Sequence, residues 1–420
     1  MAFLWLVARR NSGRAVRALA WNSLVFWWSL LAMSIEERFA SRFGGPSLVW
    51  HAPGRANLMG EHTDYNGGLV LPFAIDRGTE VAAGPRDDGQ LHLVSAAFPG
   101  EVVLELDTLP TAPRGHWSDY IVGVVRELSR AGITLGGANL LVESDLPPGA
   151  GLSSSAALEV ATAGVLLDML GVTMAPAALA GICHAAETGF VGTQCGIMDM
   201  LVSTTSRAGH ATWIDCRTQE TRFVSLPEAW AMLVVDTGVK HTLAAGEYNQ
   251  RRAECAAAQS ILAARREGID SLRDVDAADL AAGREDLGDL LYRRVRHIVT
   301  ENDRVGAALE ALEAGDLAGL AKLFAASHQS LRVDYEVSCT ELDSVVDIIT
   351  SLQTGAAARM MGGGFGGSVI AVVPVAACLE SVGEKILAGY QRLFGAKGAV
   401  LQVRAVGRAA RQSGSVQAFG

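Results

Sequence analysis

Residues 54–68 read GRANLMGEHTDYNGG, from Gly54 to Gly68, and place four ionisable side chains in a glycine-rich stretch after a short apolar segment. These four are Arg55, Glu61, His62 and Asp64. Carboxylates accept hydrogen bonds from sugar hydroxyls, and histidine can donate or accept, so the composition suits a polyhydroxylated ligand. A charged surface hairpin that turns at Asn66-Gly67 is the structural alternative, and composition alone leaves both open.

A second glycine-rich stretch, DLPPGAGLSSSAALE, occupies Asp145–Glu159 and runs directly into a long apolar segment. The first backbone N–H groups of a helix are unpaired and its dipole is positive at that end, so such a loop favours phosphate. It is not a Walker A loop, because no Gly-Lys-Ser or Gly-Lys-Thr occurs in the chain. The alternative is a glycine turn with a serine cap. Three successive serines exceed what a cap requires, which favours phosphate binding.

A third stretch, RMMGGGFGGS at Arg359–Ser368, matches the pattern G-x-G-x-x-G. A dinucleotide-binding fingerprint needs a strand before this pattern and a helix after it. Here a helix-like segment precedes the pattern, and a β-branched strand, Ser368–Val373, follows it. We therefore expect a close backbone approach between two elements, or to a ligand, in place of a dinucleotide site.

The remaining pattern indicates an α+β protein, because strands and helices occur in clusters and not in strict alternation. Strand-like segments dominate residues 47–106, and helical patterns dominate after residue 230. Pro227 and neighbouring polar residues interrupt the pattern within 215–232. We therefore predict two domains, over residues 34–222 and 223–420.

Residues 1–33 differ from the rest, with four Arg, no Lys, no acidic residue and four of the eight Trp. Their apolar run, 24–33, is shorter than the roughly 20 residues that span a bilayer. We predict that residues 1–33 are an extension, disordered or read from a start codon placed too far upstream. The alternatives are an ordered extra helix and a targeting or membrane-contacting segment.

The overall composition limits the class of protein. Half of the 420 residues are hydrophobic, and the net charge of −10 argues against a general nucleic-acid binder. The six cysteines form no C-x-x-C pair and are too few for a disulfide scaffold in a chain of this length. We therefore expect a reduced, cytoplasmic protein that binds neither nucleic acid nor membrane.

Taken together and in this order, the three stretches resemble the motifs of the GHMP small-molecule kinases. The first is similar to the galactokinase signature G-R-x-N-L-I-G-E-H-T-D-Y-N-x-G, the second to the family's phosphate loop, and the third to its third motif. The resemblance covers about residues 34–410. It implies a two-domain α+β fold with the active site in the cleft between the domains. It also implies ATP- and Mg²⁺-dependent phosphorylation of D-galactose at the anomeric C1 hydroxyl, by a monomer.

The resemblance also implies roles for single residues. Asp199, within CGIMD, matches the catalytic aspartate that faces the anomeric hydroxyl, and Arg55 matches the arginine that stabilises the transferring phosphoryl group. The implied sugar contacts are Glu61, His62, Thr63, Asp64 and Tyr248. The implied ATP phosphate loop comprises Gly149, Ala150, Gly151, Leu152, Ser153, Ser154 and Ser155. The implied Mg²⁺ ligands are Ser155 and Glu187.

Two residues depart from the family pattern, and several functions stay open. Met200 stands where galactokinases usually have Gln, beside the expected sugar pocket, and Met59 replaces the usual Ile. A kinase for N-acetylgalactosamine or arabinose would use the same motifs, whereas mevalonate and homoserine kinases lack the full EHTDYNGG run. A non-catalytic, galactokinase-like sugar sensor is the other alternative. The intact serine-rich loop favours catalysis.

Overall fold

The computed structural model describes residues 33–240, 244–395 and 398–412. The strands within these ranges are β1 (Leu48–Asn57), β2 (Leu69–Val70), β3 (Pro72–Pro85), β4 (Gln90–Ser95), β5 (Glu101–Glu105), β6 (Ala138–Ser144), β7 (His210–Asp215), β8 (Thr221–Ser225), β9 (Trp230–Lys240), β10 (Ala357–Met361), β11 (Gly366–Pro374), β12 (Ala399–Val403) and β13 (Ala410–Arg411). The α-helices are α1 (Ile35–Phe43), α2 (Ser118–Arg130), α3 (Ser154–Met169), α4 (Pro176–Ala186), α5 (Met198–Thr205), α6 (Ala244–Ala263), α7 (Ala277–Ala282), α8 (Arg284–Ala314), α9 (Leu317–Val333), α10 (Thr340–Ser351) and α11 (Leu379–Phe394).

The largest sheet has the strand order β13-β1-β3-β6-β4-β5 and is antiparallel except for the β4–β6 pair. Helix α3 packs across β1 and β3. This helix is apolar almost all round, and a helix of that kind is stable only when it is buried. Its burial fixes the glycine-rich loop that precedes it, and this loop accepts a hydrogen bond from β1, from Arg55 N–H to the Leu152 carbonyl oxygen at 3.2 Å.

A second sheet, of order β10-β11-β9-β12, lies between two hydrophobic cores. Successive side chains of a strand point to opposite faces. Met232 and Val234 of β9 therefore pack into the core of the large sheet, while Leu233 and Val235 pack into the core formed with the C-terminal helices. A smaller sheet joins β2, β7 and β8.

The predicted α+β architecture is confirmed by this separation of sheets and helices. The expected domain boundary at 222/223 falls within β8, a continuous strand paired with β7. Near the C-terminus, β13 returns to pair with β1. We therefore propose that the two units divide between β8 and β9, with the segment at 410–411 belonging to the first.

Residues 1–32 lie outside the described ranges. The expectation that residues 1–33 form an extension therefore concerns a segment of which the structure describes only Met33. Among the described residues, each helix is too short or too polar to cross a bilayer.

The segment before the third glycine-rich stretch is a strand, and the expectation of a helix there was wrong. The sequence AARMM of β10 consists of good helix formers, which is why the pattern indicated a helix. All five residues are buried. The strand pairs with β11, and helices α9 and α10 pack against it. Tertiary packing therefore overrides local propensity here. The glycines form the turn between β10 and β11.

Gly364 in this turn should be intolerant of a side chain. Its φ is +81°, and an added Cβ would lie 2.3 Å from the Val337 carbonyl oxygen. Gly355 provides a matched control, because its φ is +76° and nothing lies within 4 Å of an added Cβ. We expect Gly355→Ala to lower the free energy of unfolding by about 1 kcal/mol, the cost of the left-handed backbone. Gly364→Ala should lower it by about 3 kcal/mol. Urea denaturation measures both, and equal losses would refute the steric argument.

Candidate active site

All three glycine-rich stretches contribute to one cavity of about 450 Å³. The first stretch supplies Arg55, Glu61, His62 and Asp64, the second supplies Gly149, Gly151, Leu152, Ser153, Ser154 and Ser155, and the third supplies Gly362 and Gly363. The other lining residues are Glu187, Val191, Gly192, Thr193, Cys195, Met198, Asp199, Tyr248 and Asn249. Motifs that lie about 300 residues apart in sequence therefore form one site.

Arg55 and Asp199 form a bidentate ion pair at the centre of this cavity. Strand β1 carries Arg55, whose Nε and Nη2 donate to the two oxygens of Asp199 at 2.7 and 2.9 Å. The paired fork geometry is the strongest arrangement available to arginine and carboxylate. Its remaining Nη1 donates to the Gly151 carbonyl oxygen at 2.6 Å. Arg55 thus links the carboxylate of α5 to the loop before α3.

Ser153 occupies the N-cap position of α3, but its side chain does not cap the helix. Its Oγ instead donates to Asp199 Oδ2 at 2.6 Å. The residue adopts φ +60°, a left-handed conformation that is strained for a serine. The first turn of α3 therefore has neither a side-chain cap nor an acidic residue. Ser154 and Ser155 of this turn line the cavity, and the unpaired N–H groups at a helix N-terminus favour an anion.

The rest of the loop brings its backbone toward the cavity. Gly149 and Gly151 have φ of +78° and +71°, conformations that glycine adopts without a steric cost. The side chains of Ala150 and Leu152 are buried in the protein core. Of the predicted loop residues, Ala150 alone does not line the cavity. Any contact that Ala150 makes with a ligand would have to use its backbone.

Glu187 lies near the loop, at the start of a short π-helical turn, and is 5% exposed. Burial raises the pKa of this carboxyl to about 7, even though hydrogen bonds from Ser155 and Cys195 favour its charged form. The Cys195 Sγ donates to Oε2 at 3.6 Å. A divalent cation would stabilise the ionised carboxylate.

The chemistry of Ser155 and Glu187 fits Mg²⁺, which prefers hard oxygen ligands and usually keeps water or phosphate oxygens as well. Both side chains line the cavity, and Ser155 lies in the first turn of α3. Within the described ranges, no cluster of three or more His, Cys, Asp or Glu side chains forms a complete protein cage for a metal ion.

The carboxyl groups of Glu61 and Asp64 also line the cavity. Burial raises the pKa of Asp64 to about 6, and the nearby Asp199 charge adds to the shift. A Cβ added to Gly196 would lie 2.1 Å from Asp64 Oδ2. The glycine of CGIMD is therefore needed because this carboxylate packs directly on its backbone.

His62 and Tyr248 contribute aromatic rings to the cavity lining. Their rings lie 5.4 Å apart, and His62 Nδ1 hydrogen-bonds the Tyr65 hydroxyl at 2.9 Å. His62 has φ +65° and is 5% exposed. Burial lowers its pKa to about 3, so the imidazole is neutral at physiological pH. It can hold Tyr65 in place and present a neutral ring to a ligand.

Two residues lie elsewhere than the sequence suggested. Thr63, expected to contact the sugar, is fully buried and does not line the cavity. Its hydroxyl contacts the carbonyl oxygens of Gly60 and Leu69 at 2.8 and 2.6 Å, so it shapes the loop instead. Met200, expected beside the sugar pocket, is fully buried in the core, because successive residues of α5 point in different directions. Met198, two residues earlier, lines the cavity.

The Ser153–Asp199 hydrogen bond and the place of Cys195 in the lining were not foreseen from the sequence. The serine run indicated only a phosphate loop, and nothing in it signals that one hydroxyl turns back toward α5. The signal for Cys195 was present, since it begins the CGIMD segment that carries Asp199.

The affinity for a polyol ligand should fall in acid as Asp64 gains a proton. Its pKa of about 6 lies above the ordinary 3.8, so it is mostly ionised at pH 7 and mostly protonated at pH 5. A ligand hydroxyl that donates to the carboxylate requires the ionised form. We expect the KM of the sugar substrate to rise about tenfold between pH 7 and pH 5. In Asp64→Asn this step of the KM profile should disappear. If it persists there, another group is responsible.

Three family descriptions match the chain. The galactokinase galactose-binding signature covers residues 37–85, the GHMP kinases N terminal domain covers 119–207, and the GHMP kinases C terminal covers 308–386. The first includes Arg55 and the Glu61–Asp64 loop, and the second includes the phosphate loop and Asp199.

Similar proteins agree with these matches. The galactokinase of Chloroflexus aggregans is 45% identical over 358 residues, which cover 85% of this chain and 92% of that protein. The crystal structure of Lactococcus lactis galactokinase complexed with galactose has a TM-score of 0.85 and 32% identity, covering 90% of this chain and 98% of that one. The Methanococcus jannaschii mevalonate kinase, at 18% identity and TM-score 0.61, covers 86% of this chain and 99% of that one, and shares the fold. These matches over most of the chain show that it belongs to the galactokinases of the GHMP kinase family.

Proposed function

We propose that this protein transfers the γ-phosphoryl group of ATP to the C1 hydroxyl of D-galactose, giving galactose 1-phosphate and ADP. One observation carries the proposal: Asp199 is bound by Arg55 and Ser153 at the point where the sugar-side loop meets the phosphate loop. The Lactococcus lactis relative that matches over most of this chain was crystallised with galactose, which supports galactose as the sugar.

Asp199 acts as the base in this proposal. The attacking C1 hydroxyl donates its proton to the carboxylate while its oxygen bonds to the γ-phosphorus, and the bond from that phosphorus to the β,γ-bridging oxygen breaks. The electron pair leaves with ADP. Phosphoryl transfer needs in-line placement and charge neutralisation and little covalent work by the protein. A carboxylate that orients the hydroxyl and takes its proton is sufficient.

The phosphate-loop side of the cavity neutralises the charge that spreads over the transferring group. Arg55 carries the permanent positive charge closest to Asp199 in the described cavity lining, and the free N–H groups of α3 add a positive dipole end. Ser155 and Glu187 would hold Mg²⁺. When bound, the ion would neutralise part of the charge of the nucleotide phosphates.

Glu61 and Asp64 accept hydrogen bonds from sugar hydroxyls, and Tyr248 covers the sugar beside the neutral His62. These assignments are supported by the shared cavity lining and by the packing of Asp64 on Gly196. Thr63 hydrogen-bonds the backbone of its own loop, and Met200 of α5 is buried in the core. Sugar selectivity therefore rests on Glu61, His62, Asp64 and Tyr248.

The cysteines and the net charge also bear on where the protein acts and on what it binds. We propose a cytoplasmic monomer that acts on small molecules and binds neither nucleic acid nor membrane. All six cysteines are free thiols, and the net charge of −10 disfavours polyanions.

The experiment that tests the proposal is an ADP-release assay with a panel of acceptors. Purified protein with ATP and Mg²⁺ is given galactose, N-acetylgalactosamine, arabinose, mevalonate or homoserine at equal concentrations. We expect the highest kcat/KM with galactose. A higher value with N-acetylgalactosamine or arabinose would assign another sugar, and ADP release with none of them would refute catalysis.

A further inference from the structure

The third glycine-rich stretch contacts both of the other stretches. Gly362 lies against Gly151, with an added Cβ 3.4 Å from the Gly151 carbonyl oxygen. Ser368 Oγ donates to the Ala150 carbonyl oxygen at 2.8 Å. On the sugar side, the Gly362 N–H donates to Glu61 Oε1 at 3.3 Å. The third stretch therefore contacts both the loop before α3 and the Glu61 carboxylate.

Arg359, at the centre of β10, brings a positive charge to the same carboxylate. Its guanidinium is 0% exposed, and Nη2 forms an ion pair with Glu61 Oε2. A second nitrogen, Nη1, donates to the Leu58 carbonyl oxygen at 3.3 Å. Arg359 thus binds both the carboxylate and the backbone of the loop that carries it.

The neighbouring charges direct Arg359 toward Glu61. Glu301 of α8 lies 3.8 Å from Arg359 Nη1 but already has its own partners. It is paired with Arg304 at 2.6 Å and accepts from Gly60 N–H at 3.1 Å and Ser327 Oγ at 2.8 Å. Two glutamates and two arginines balance in this buried cluster. Glu61 is the carboxylate left for Arg359.

Glu61 is only 2% exposed, yet it lines the cavity. Each carboxylate oxygen can accept two hydrogen bonds, so the contacts to Arg359 and Gly362 leave lone pairs for a sugar hydroxyl. A free glutamate has several rotatable bonds, and recognition requires that the acceptor be held in one place. Two partners from the opposite unit of the protein provide that restraint.

We propose that Arg359 is a positioning residue for sugar recognition, which acts through Glu61 and contacts neither substrate. The inference rests on the proposed function, because it assumes that Glu61 binds the galactose. Gly362 assists from the same turn, so the third glycine-rich stretch couples the sugar side of the cavity to the phosphate loop.

A double-mutant cycle tests this role. Galactose and ATP affinities are measured by calorimetry for wild type, Glu61→Gln, Arg359→Met and the double variant. We expect Arg359→Met to raise the galactose Kd between about tenfold and a hundredfold, while the ATP Kd changes less than about threefold. In the Glu61→Gln background, Arg359→Met should add less than about threefold, because the two residues act as one unit. The proposal would be overturned if the two substitutions raised the galactose Kd independently, so that their fold-changes multiplied in the double variant. It would also be overturned if Arg359→Met raised the galactose and ATP Kd values equally.

Arg294→Met is the matched control, since Arg294 is another fully buried arginine in the C-terminal unit, paired with Glu254 and Glu336. It should reduce stability and leave the galactose Kd within about threefold of wild type. If Arg359→Met does not fold, Arg359→Lys takes its place in both backgrounds. Lysine lacks the guanidinium fork. Arg359→Lys should therefore raise the galactose Kd several-fold in the wild-type background and leave it unchanged in the Glu61→Gln background. No rise, or the same rise in both, would contradict the role.

The wild-type measurement separates the two levels of inference. If wild type does not bind galactose, the proposed function fails. If wild type binds galactose and the two substitutions change the galactose binding free energy additively, the function stands and the role of Arg359 is refuted.

Discussion

The Asp199→Asn variant is expected to lose about 10²–10⁴-fold in kcat, equivalent to about 3–5 kcal/mol of transition-state stabilisation. Asparagine keeps the size of the side chain and can still accept a hydrogen bond from Arg55 or Ser153, but it cannot take the proton of the sugar hydroxyl. Calorimetry should show galactose binding within a few-fold of wild type. Single-turnover kinetics with saturating ATP and galactose measures the loss in the chemical step directly.

The Arg265–Asp286 pair supplies the control for this variant. Both side chains are nearly half exposed, and neither lines the cavity. Exposed ion pairs contribute little to folding stability. Because this pair also lies outside the cavity lining, Asp286→Asn should leave kcat unchanged. If Asp199→Asn retains more than about a tenth of the wild-type kcat, the base is another carboxylate, and Asp64 and Glu61 become the candidates.

Arg55→Ala is expected to lower kcat by about 10²–10³-fold. The substitution removes three donor contacts, two to Asp199 and one to the Gly151 carbonyl oxygen. The transferring group loses its positive partner, and the carboxylate loses the fork that orients it. Arg265→Ala, which removes an exposed arginine, should have no measurable effect on kcat.

The losses from Asp199→Asn and Arg55→Ala should not add, because the two side chains form one unit. We expect the double variant to lie within about tenfold of the slower single variant. Fully multiplicative losses would mean that Arg55 acts on the phosphoryl group independently of its pairing with Asp199.

The local pattern predicted much of the catalytic half of the site. The serine run before an apolar segment indicated a helix whose N-terminus favours phosphate, and α3 begins at Ser154 as that pattern requires. The charged stretch that spans the end of β1 and the loop after it suited a polyol site, and Arg55, Glu61, His62 and Asp64 all line the cavity. These features follow from backbone geometry and charge within about fifteen residues of sequence.

The features that escaped prediction depend on contacts between distant segments. Arg359 and Glu61 lie about 300 residues apart, and nothing near either one indicates its partner. The strand β10 reads as a helix until the burial of all its residues is known. Thr63 and Met200 are adjacent in sequence to residues that line the cavity, but their own side chains are buried in the interior. Adjacency in sequence did not imply adjacency in the site.

Identification of the product tests the reaction most directly. The purified full chain is mixed with D-galactose, ATP and Mg²⁺, and the mixture is followed by ¹H and ³¹P nuclear magnetic resonance. The Asp199–Arg55 arrangement predicts ADP and a sugar phosphate in equal amounts, with the phosphorus coupled to the anomeric proton of galactose. Phosphate on another galactose hydroxyl, or release of inorganic phosphate with the galactose unchanged, would contradict transfer to C1.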